Sequence, residues 1–169
     1  ECGHPLTVSI NASPRNLSDP GFDDRLMWAC DSAGIAPNRI EIEFTEGMLA
    51  ANPERAIRQL ERLRAQGVEV AIDDFGSGFS SLAYLAQIPA DVLKIDQSFI
   101  RPLRPGDDFL VTQILQLAAG LGLRVCAEGI ETMNIYSHLC RLGCDEGQGY
   151  AIARPMPLAD YCAWLEAPK

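Results

Sequence analysis

Short strand-like runs alternate with helix-like segments along the whole chain, and this alternation constrains the fold more than any other feature. Strand patterns cover residues 6–11, 39–44, 68–72, 92–95, 124–127 and 149–153. The segments between them are longer, and in several the apolar residues recur every three to four positions. Because strands joined by helices run parallel, the sequence predicts an α/β fold with one parallel sheet covered by helices.

Helices are expected near residues 22–33, 53–65, 80–86, 107–121 and 132–142, with a closing helix after Pro157. Asn52 is expected to cap the second of these helices, with Pro53 at its first position. Acidic residues at the start of the segment 107–121 suit the dipole of a helix. No low-complexity linker interrupts the chain, so we expect residues 1–169 to belong to one domain.

A TIM-type (β/α) barrel is favoured over an open doubly wound sheet. Open sheets that bind nucleotides carry a glycine-rich phosphate loop after the first strand, and this chain has none. Polar residues follow nearly every strand instead, as on the active face of a barrel. Six strand patterns are visible, whereas a full barrel has about eight strands in ~250 residues. Because a strand pattern already begins at Leu6, we expect a fragment whose barrel is incomplete at its N-terminal side.

The composition argues against several classes of protein. The formal net charge is −9 over 169 residues, which disfavours binding to DNA, RNA or anionic membranes. No run reaches the roughly 18 apolar residues of a membrane span, and no leader opens the chain. The six cysteines form no Cys-x-x-Cys pair. We therefore expect a cytoplasmic chain with reduced thiols. This expectation is compatible with a membrane anchor elsewhere in the parent protein.

A soft-metal site is conceivable at Cys140, Cys144 and His138. Their spacing matches no recognised zinc pattern, so helix-packing cysteines are the favoured interpretation.

Two adjacent aspartates, Asp73 and Asp74, follow the apolar strand 68–72 and open into a loop that carries Gly76 and Gly78. A buried strand that ends on two carboxylates is a common way to present negative charge to a divalent metal. Aspartate and glycine are also ordinary turn formers. Taken alone, the pair does not decide between a turn and a metal site.

The same pattern recurs at the other strand ends, and this favours the metal site. If the strands form one barrel, polar side chains from successive strands converge at its mouth, namely Asn11, Glu43, Glu46, Asp73, Asp74, Lys94, Asp96, Glu128, Glu131 and Gln148. So many acids in one mouth would repel one another unless cations bind among them. Oxygen ligands without a histidine cluster suit Mg²⁺ or Mn²⁺. Enzymes that hydrolyse phosphodiesters commonly use two such ions.

Each of these residues alone also has an ordinary structural explanation. Asn11 is typical of a turn, Glu43 of a solvent-facing strand position, Glu131 of a helix N-terminus and Gln148 of a strand cap. Lys94 is different, because it lies inside an otherwise apolar strand. We expect that it has a carboxylate partner, that its pKa falls, or that it contacts a phosphoryl oxygen or a metal-bound water. The alternative to a phosphodiesterase site is an enolase-type barrel, which holds Mg²⁺ and abstracts a proton with similar residues.

Several motifs together identify a resemblance. The segments AIDDFGSGFSSL (71–82), LKID (93–96), AEGIET (127–132), QGY (148–150) and RPMP (154–157) strongly resemble the EAL domain of bacterial cyclic di-GMP phosphodiesterases. The resemblance runs from Asn11-Ala12-Ser13 to the C-terminal helix. It implies a TIM-type barrel that hydrolyses cyclic di-GMP (c-di-GMP) to pGpG with Mg²⁺ or Mn²⁺, two ions per site, in bacterial signal transduction.

The resemblance also implies roles for individual residues. Asn11, Glu43 and Asp73 match ligands of a first metal, and Asp73 bridges to a second metal held with Asp74 and Glu128. Lys94 matches the residue that holds or helps to deprotonate the attacking water, and Gln148 the residue that positions water or substrate. Whether Lys94 or Glu128 is the general base stays open. Glu46 and Glu131 match residues that steady the loop after Asp74, in which Ser77 and Phe79 replace the usual threonine and tyrosine.

One departure from the family is serious. The Glu-Ala-Leu motif that names it, whose glutamate binds a metal, does not occur, and Glu166-Ala167-Pro168 lies at the opposite end. We therefore expect little or no turnover from the fragment alone. A degenerate receptor that binds cyclic di-GMP without cleaving it is the alternative function, and a fragment that binds nothing is a third possibility. Family resemblance further implies a homodimer through the loop after Asp74 and adjacent helices, with sensory or GGDEF-type domains flanking the parent protein's EAL domain.

Overall fold

Six parallel strands form a single sheet in the computed structural model, which describes residues 6–49, 52–76 and 85–167. The sheet follows the order of the sequence, as in a (β/α) barrel, from β1 to β6. Within the described residues β1 and β6 are not paired with each other, so the barrel is open. The strands are β1 (Val8–Asn11), β2 (Ile40–Thr45), β3 (Glu69–Phe75), β4 (Val92–Ile95), β5 (Arg124–Ala127) and β6 (Glu146–Gly147).

Helices connect these strands and cover the outer face of the sheet. They are α1 (Pro14–Ser18), α2 (Phe22–Ala33), α3 (Pro53–Ala65), α4 (Gln97–Ile100), α5 (Phe109–Leu121), α6 (Met133–Leu142) and α7 (Leu158–Glu166), with short 3-10 turns at Pro37–Arg39 and Glu46–Leu49. The predicted cap is confirmed, because the Asn52 side chain accepts a hydrogen bond from the amide of Arg55 at 3.2 Å. No helix in the described ranges is long and apolar enough to cross a membrane.

The two faces of the sheet differ in chemistry. The outer face carries buried aliphatic and aromatic residues that pack with the helices in one large core, among them Ile42, Phe44, Ile72, Leu93 and Ile95. The inner face has a separate small cluster formed by Ala71, Val92 and Cys126. Because alternate residues of a strand point to opposite faces, the glutamates and the lysine between the outer-face residues point into the barrel.

A second polar layer lies in the barrel interior, on the N-terminal side of that small apolar cluster. Arg124 forms ion pairs with Glu69, at 2.7 Å, and with Glu146. Nearby, Glu41 accepts a hydrogen bond of 2.6 Å from the hydroxyl of Ser9. Burial raises the pKa of Glu41, although the Ser9 hydrogen bond opposes this effect. The apolar cluster thus separates these groups from the strand ends where the predicted site lies.

The position of Cys126 in this apolar cluster leads to a test of the packing. Burial raises the pKa of its thiol to about 12. At pH 8 such a thiol holds on the order of 10³ less thiolate than one at the ordinary value of ~8.5. We expect iodoacetamide to label the exposed Cys140 in the native chain and to label Cys126 only after unfolding, as measured by peptide mass spectrometry. Equal labelling of both thiols in the native chain would contradict this packing.

Two sequence-based strand predictions are corrected. The predicted sixth strand at 149–153 is a turn, and β6 lies just before it, because Gly149 packs against the backbone of Ile130. The third strand does not end before the aspartates, since β3 continues to Phe75 and its pairing with β4 shifts register between Ile72 and Phe75. The helix predicted at 80–86 lies mostly outside the described residues.

Candidate functional site

Four charged side chains from successive strands converge at the carboxyl end of the sheet. Glu43 lies on β2, Asp73 on β3, Lys94 on β4, and Glu128 directly follows β5. The parallel register places Glu43 beside Ala71, two residues before Asp73, and Lys94 beside Cys126, two residues before Glu128. The sequence therefore brings these groups together through the two-residue period of the strands.

Lys94 is the centre of this cluster. Its ammonium lies 2.7 Å from Glu43 Oε1, 2.8 Å from Glu128 Oε1 and 3.3 Å from Asp73 Oδ1. The residue is only 4% exposed. Burial alone would lower the pKa of Lys94, but hydrogen bonds to Glu128 and Glu43 outweigh burial and raise it. The amine is therefore charged at neutral pH, and one cation faces three carboxylates.

The two aspartates reach the same side of the sheet because β3 is irregular. In a regular strand their side chains would point to opposite faces. Asp74 instead has a φ of 53°, in the left-handed region, at the point where the register shifts. Irregularities of this kind re-aim side chains beside functional sites. Carboxylate oxygens of Asp73, Asp74 and Glu128 consequently all lie within 4.8 Å of one another.

Like charges and burial act on the carboxylates of this cluster. Burial raises the pKa of Asp74, and the neighbouring Asp73 and Asp96 raise it further. Burial also raises the pKa of Glu128, although Lys94 opposes this effect. Burial is the larger cause of both shifts, and the neighbouring carboxylates add to it.

Gln148 and Asn11 lie at opposite sides of the cluster. The Gln148 amide donates a hydrogen bond of 3.0 Å to Glu128 Oε1, and the residue follows β6. Asn11 ends the exposed edge strand β1 and is paired in register with Glu43. The structure therefore brings Gln148 into direct contact with the cluster and leaves Asn11 beside Glu43 at its margin.

The two predicted loop-stabilising residues, Glu46 and Glu131, differ in their surroundings. Oε1 of Glu46 is buried and has no hydrogen-bond partner among the described residues, and burial raises the pKa of this carboxyl. Glu131 forms an ion pair of 2.9 Å with Arg101. Residues 77–84 of the loop lie outside the described residues, including Ser77 and Phe79, so the stabilising role of both glutamates stays a prediction.

The residues present fit a hard divalent cation. The ligand atoms are carboxylate oxygens, which Mg²⁺, Mn²⁺ and Ca²⁺ prefer. Asp73 Oδ1 is buried, and among the described residues its neighbouring cation, Lys94 Nζ at 3.3 Å, forms an ion pair with it but lacks hydrogen-bond geometry. A buried acceptor without a donor is costly, and a cation would satisfy it. The acidic cluster of Asp73, Asp74 and Glu128 is thus suited to a metal ion.

The alternative soft-metal set does not face one ion. Both ring nitrogens of His138 are engaged, by Asp108 at 3.0 Å and by Arg141 at 3.3 Å. The thiol of Cys144 donates to backbone carbonyls, the nearer being that of Glu146 at 3.2 Å. The helix-packing interpretation of these residues agrees with these contacts.

A cavity of about 540 Å³ adjoins the cluster next to Gln148. Gln97, Tyr150 and Met156 contribute to its walls, and the guanidinium of Arg154 lies 4.5 Å from the centroid of the Tyr150 ring. Sequence reasoning did not single out Arg101, Arg154 or the Ser9–Glu41 contact. Arg154 lies in the RPMP motif, which gives it no role by itself, and the partners of Arg101 and Ser9 are distant in sequence.

The fold and the site define an incomplete (β/α) barrel with a carboxylate-rich mouth that is suited to a divalent cation. The family model described as "EAL domain" matches residues 1–155. The chain belongs to the EAL domain family. This assignment confirms the resemblance seen in the motifs and the prediction of an incomplete TIM-type barrel.

Individual relatives agree with the family assignment. The chain is 42% identical over 168 residues to the cyclic di-GMP phosphodiesterase NbdA of Pseudomonas aeruginosa, covering 98% of this chain and 22% of NbdA. The chain therefore spans about a fifth of that relative. The solved PaMucR phosphodiesterase in complex with c-di-GMP is 36% identical with a TM-score of 0.84, covering 92% of this chain and 70% of that one.

A second similar structure contains a metal. The Klebsiella pneumoniae BlrP1 manganese/cy-diGMP complex is 31% identical with a TM-score of 0.80, covering 88% of this chain and 39% of that chain. A calcium complex of the same protein is also similar. Divalent cations are therefore present in solved structures that are similar to this chain.

Proposed function

We propose that this chain is the greater part of an EAL phosphodiesterase domain that hydrolyses cyclic di-GMP to pGpG with two Mg²⁺ or Mn²⁺ ions. The observation that carries the proposal is the convergence of carboxylates around Lys94, in which oxygens of Asp73, Asp74 and Glu128 lie within 4.8 Å of one another. We take cyclic di-GMP as the substrate because the similar proteins are named cyclic di-GMP phosphodiesterases and a similar structure is a complex with c-di-GMP.

The proposed metal ligands divide into two sets around Asp73. Asn11, Glu43 and Asp73 would hold one ion, and Asp73, Asp74 and Glu128 the other. The register that pairs Asn11 with Glu43 supports the first set. The second set is supported by the distances among the carboxylate oxygens of Asp73, Asp74 and Glu128, which all lie within 4.8 Å of one another. Divalent ions at such a site activate water and neutralise charge on the phosphoryl group.

Lys94 and Glu128 would have different roles toward the attacking water. Lys94 carries a proton that neighbouring carboxylates hold tightly, so its ammonium donates a hydrogen bond and is a poor base. Burial raises the pKa of Glu128, which makes its carboxylate a better proton acceptor. Glu128 is also a proposed metal ligand, and a bound cation would lower that pKa, so we assign only the holding of water to Lys94 and the orientation of Glu128 to Gln148, through its 3.0 Å hydrogen bond.

The cavity beside Gln148 would receive a purine of the substrate. Tyr150 is 58% exposed, and the cation of Arg154 lies over its ring. Exposed aromatic rings and arginine planes are the groups on which nucleic-acid bases stack. This arrangement suits a dinucleotide whose phosphate lies at the carboxylate cluster and whose base lies in the adjacent cavity.

The decisive variant is Asp73→Asn, which keeps the shape of the side chain and removes the charge that both ions would share. We expect turnover of cyclic di-GMP to fall by at least about 100-fold, because even residues that merely support metal ligands reach that value. Chromatographic measurement of pGpG, with Mg²⁺ or Mn²⁺ present, tests the expectation. The assay uses the 169-residue chain and a chimera that adds the Glu-Ala-Leu strand of a relative.

Asp24→Asn is the matched control, because Asp24 lies on α2 and outside the cluster. Little or no turnover is expected from the 169-residue chain alone, and turnover is expected from the chimera. If the chimera binds intact cyclic di-GMP tightly and forms no pGpG, the result would support the receptor function and contradict the proposed enzymatic function. Unchanged turnover in Asp73→Asn would refute the metal assignment.

The remaining proposals concern context. We propose that residues 1–169 are part of a single EAL domain, located in the cytoplasm, in a parent protein with sensory or GGDEF-type domains. We also propose a homodimer through the loop after Asp74 and adjacent helices. Phe109 and Leu110 at the start of α5 are 69% and 59% exposed, which supports a contact on that helix.

A further inference from the structure

A second cavity, of about 530 Å³, lies between the N-terminal end of α6 and the segment that follows α4. Arginines line it from both sides, with Arg101 and Arg104 on the α4 side and Arg141 on α6. Leu103, Pro105 and Ile135 add apolar surface. This basic pocket is unusual in a chain with a formal net charge of −9.

Two of the three arginines have no carboxylate partner within the described residues. Arg101 forms an ion pair of 2.9 Å with Glu131. Arg104 donates only to backbone carbonyls, to that of Leu103 at 2.8 Å and to that of Arg101 at 3.3 Å. Arg141 contacts the ring of His138. The guanidinium charges of Arg104 and Arg141 therefore remain available to an anion.

His138 orients Arg141 from below the pocket. The His138 residue is 8% exposed, and it lies between Asp108, at 3.0 Å from Nε2, and Arg141, at 3.3 Å from Nδ1. A guanidinium only donates hydrogen bonds, so Nδ1 accepts from Arg141 and Nε2 donates to Asp108. This contact fixes Arg141 through a ring nitrogen and not through a carboxylate, so the charge of Arg141 is not cancelled by it.

The start of α6 adds backbone donors to the same pocket. Thr132 and Asn134 line the cavity, and the Thr132 hydroxyl caps the helix by accepting from the amide of Ile135. The first amides of a helix have no acceptor inside the helix, and the positive end of its dipole favours anions. The arginines and the N-terminal end of α6 therefore both favour the binding of an anion.

We propose that this basic pocket binds a phosphate-bearing small molecule of mononucleotide size. Guanidinium groups match phosphate oxygens in bidentate geometry, and the apolar residues offer a surface to the rest of the ligand. The volume lies within the range of small-molecule sites. The pocket is separate from the cavity beside Gln148, because the two share only Arg101 and Glu131, the ion pair that divides them.

Calorimetric titration of the 169-residue chain tests the proposal, with AMP, inorganic phosphate and adenosine as probes. EDTA is present throughout, so that binding through metals at the carboxylate cluster does not contribute. We expect AMP to bind, phosphate to bind more weakly and adenosine to show no binding. Because a charged hydrogen bond contributes about tenfold or more to affinity, Arg141→Gln and Arg104→Gln should each weaken AMP binding about tenfold.

Two variants serve as controls. Arg58→Gln removes an exposed arginine on α3 whose partner is Glu54, at 3.6 Å, and should leave AMP binding unchanged. Asp73→Asn should also leave it unchanged, which separates this site from the proposed catalytic one. The proposal is overturned if AMP shows no binding at millimolar concentration, if adenosine binds as well as AMP, or if Arg104→Gln and Arg141→Gln both bind AMP like the original chain.

Discussion

Replacing Lys94 with methionine is expected to lower the free energy of unfolding of the metal-free chain by about 3–5 kcal/mol, the usual cost of removing one partner from a buried ion pair. Lys94 contacts Glu43, Asp73 and Glu128, and it is almost completely buried. Methionine preserves much of the volume and removes the only charge that balances these three carboxylates within the described cluster. Urea denaturation in EDTA, followed by circular dichroism, measures the difference.

The loss should depend on pH. Burial already raises the pKa of Glu128 in the folded chain above its ordinary value, and removing Lys94 removes the group that opposes this rise. A carboxyl with a raised pKa contributes stability at low pH that disappears as the pH rises toward that raised pKa. The deficit of Lys94→Met should therefore be smaller at pH 5 than at pH 8.

Two further measurements separate charge from packing. The double variant Glu43→Gln with Lys94→Met should recover part of the lost stability, because it removes one of the repelling charges. Saturating Mg²⁺ should stabilise Lys94→Met more than the original chain, because a cation would replace the missing ammonium. If the single and double variants unfold at the same urea concentration at both pH values, Lys94 does not act by neutralising the carboxylates.

The strands that carry these residues could be predicted because their outer faces are continuously apolar. Ile42 and Phe44 on β2 and Leu93 and Ile95 on β4 identify both strands in the sequence. Once the strands are parallel, the period of two residues determines that Glu43 and Lys94 point inward at the same end of the sheet. Most of the candidate site follows from this pattern.

The local irregularities could not be predicted in this way. The orientation of Asp74 depends on a register shift and a left-handed φ, for which an aspartate gives only a weak signal. The sixth strand was misplaced because Tyr150, Ala151 and Ile152 have a strand-like composition, whereas Glu146 and Gly147 of β6 do not. In both places tertiary contacts override the local preference of the sequence.

Gly149 is the position at which those tertiary contacts are tightest. A Cβ added there would lie 2.3 Å from both the amide nitrogen and the carbonyl oxygen of Ile130. Backbone hydrogen bonds join the same segments, from the Ile130 amide to the Gln148 carbonyl at 3.1 Å and from the Ala151 amide to the Ile130 carbonyl at 2.9 Å. An added methyl group would therefore separate the turn that holds Gln148 from the segment that follows Glu128.

Gly149→Ala should consequently lower the free energy of unfolding by about 3 kcal/mol, the upper end for an overpacked site, because backbone atoms have no alternative rotamer. Gly120→Ala is the matched control, since Gly120 lies on the exposed side of α5 with nothing within 4 Å of an added Cβ. That change should stabilise the chain by about 0.5–1 kcal/mol through helix propensity. Urea denaturation of both variants gives the comparison, and equal midpoints would show that the turn at Gly149 tolerates a side chain. A stable Gly149→Ala variant would mean that Gln148 does not depend on this close backbone contact for its position beside Glu128.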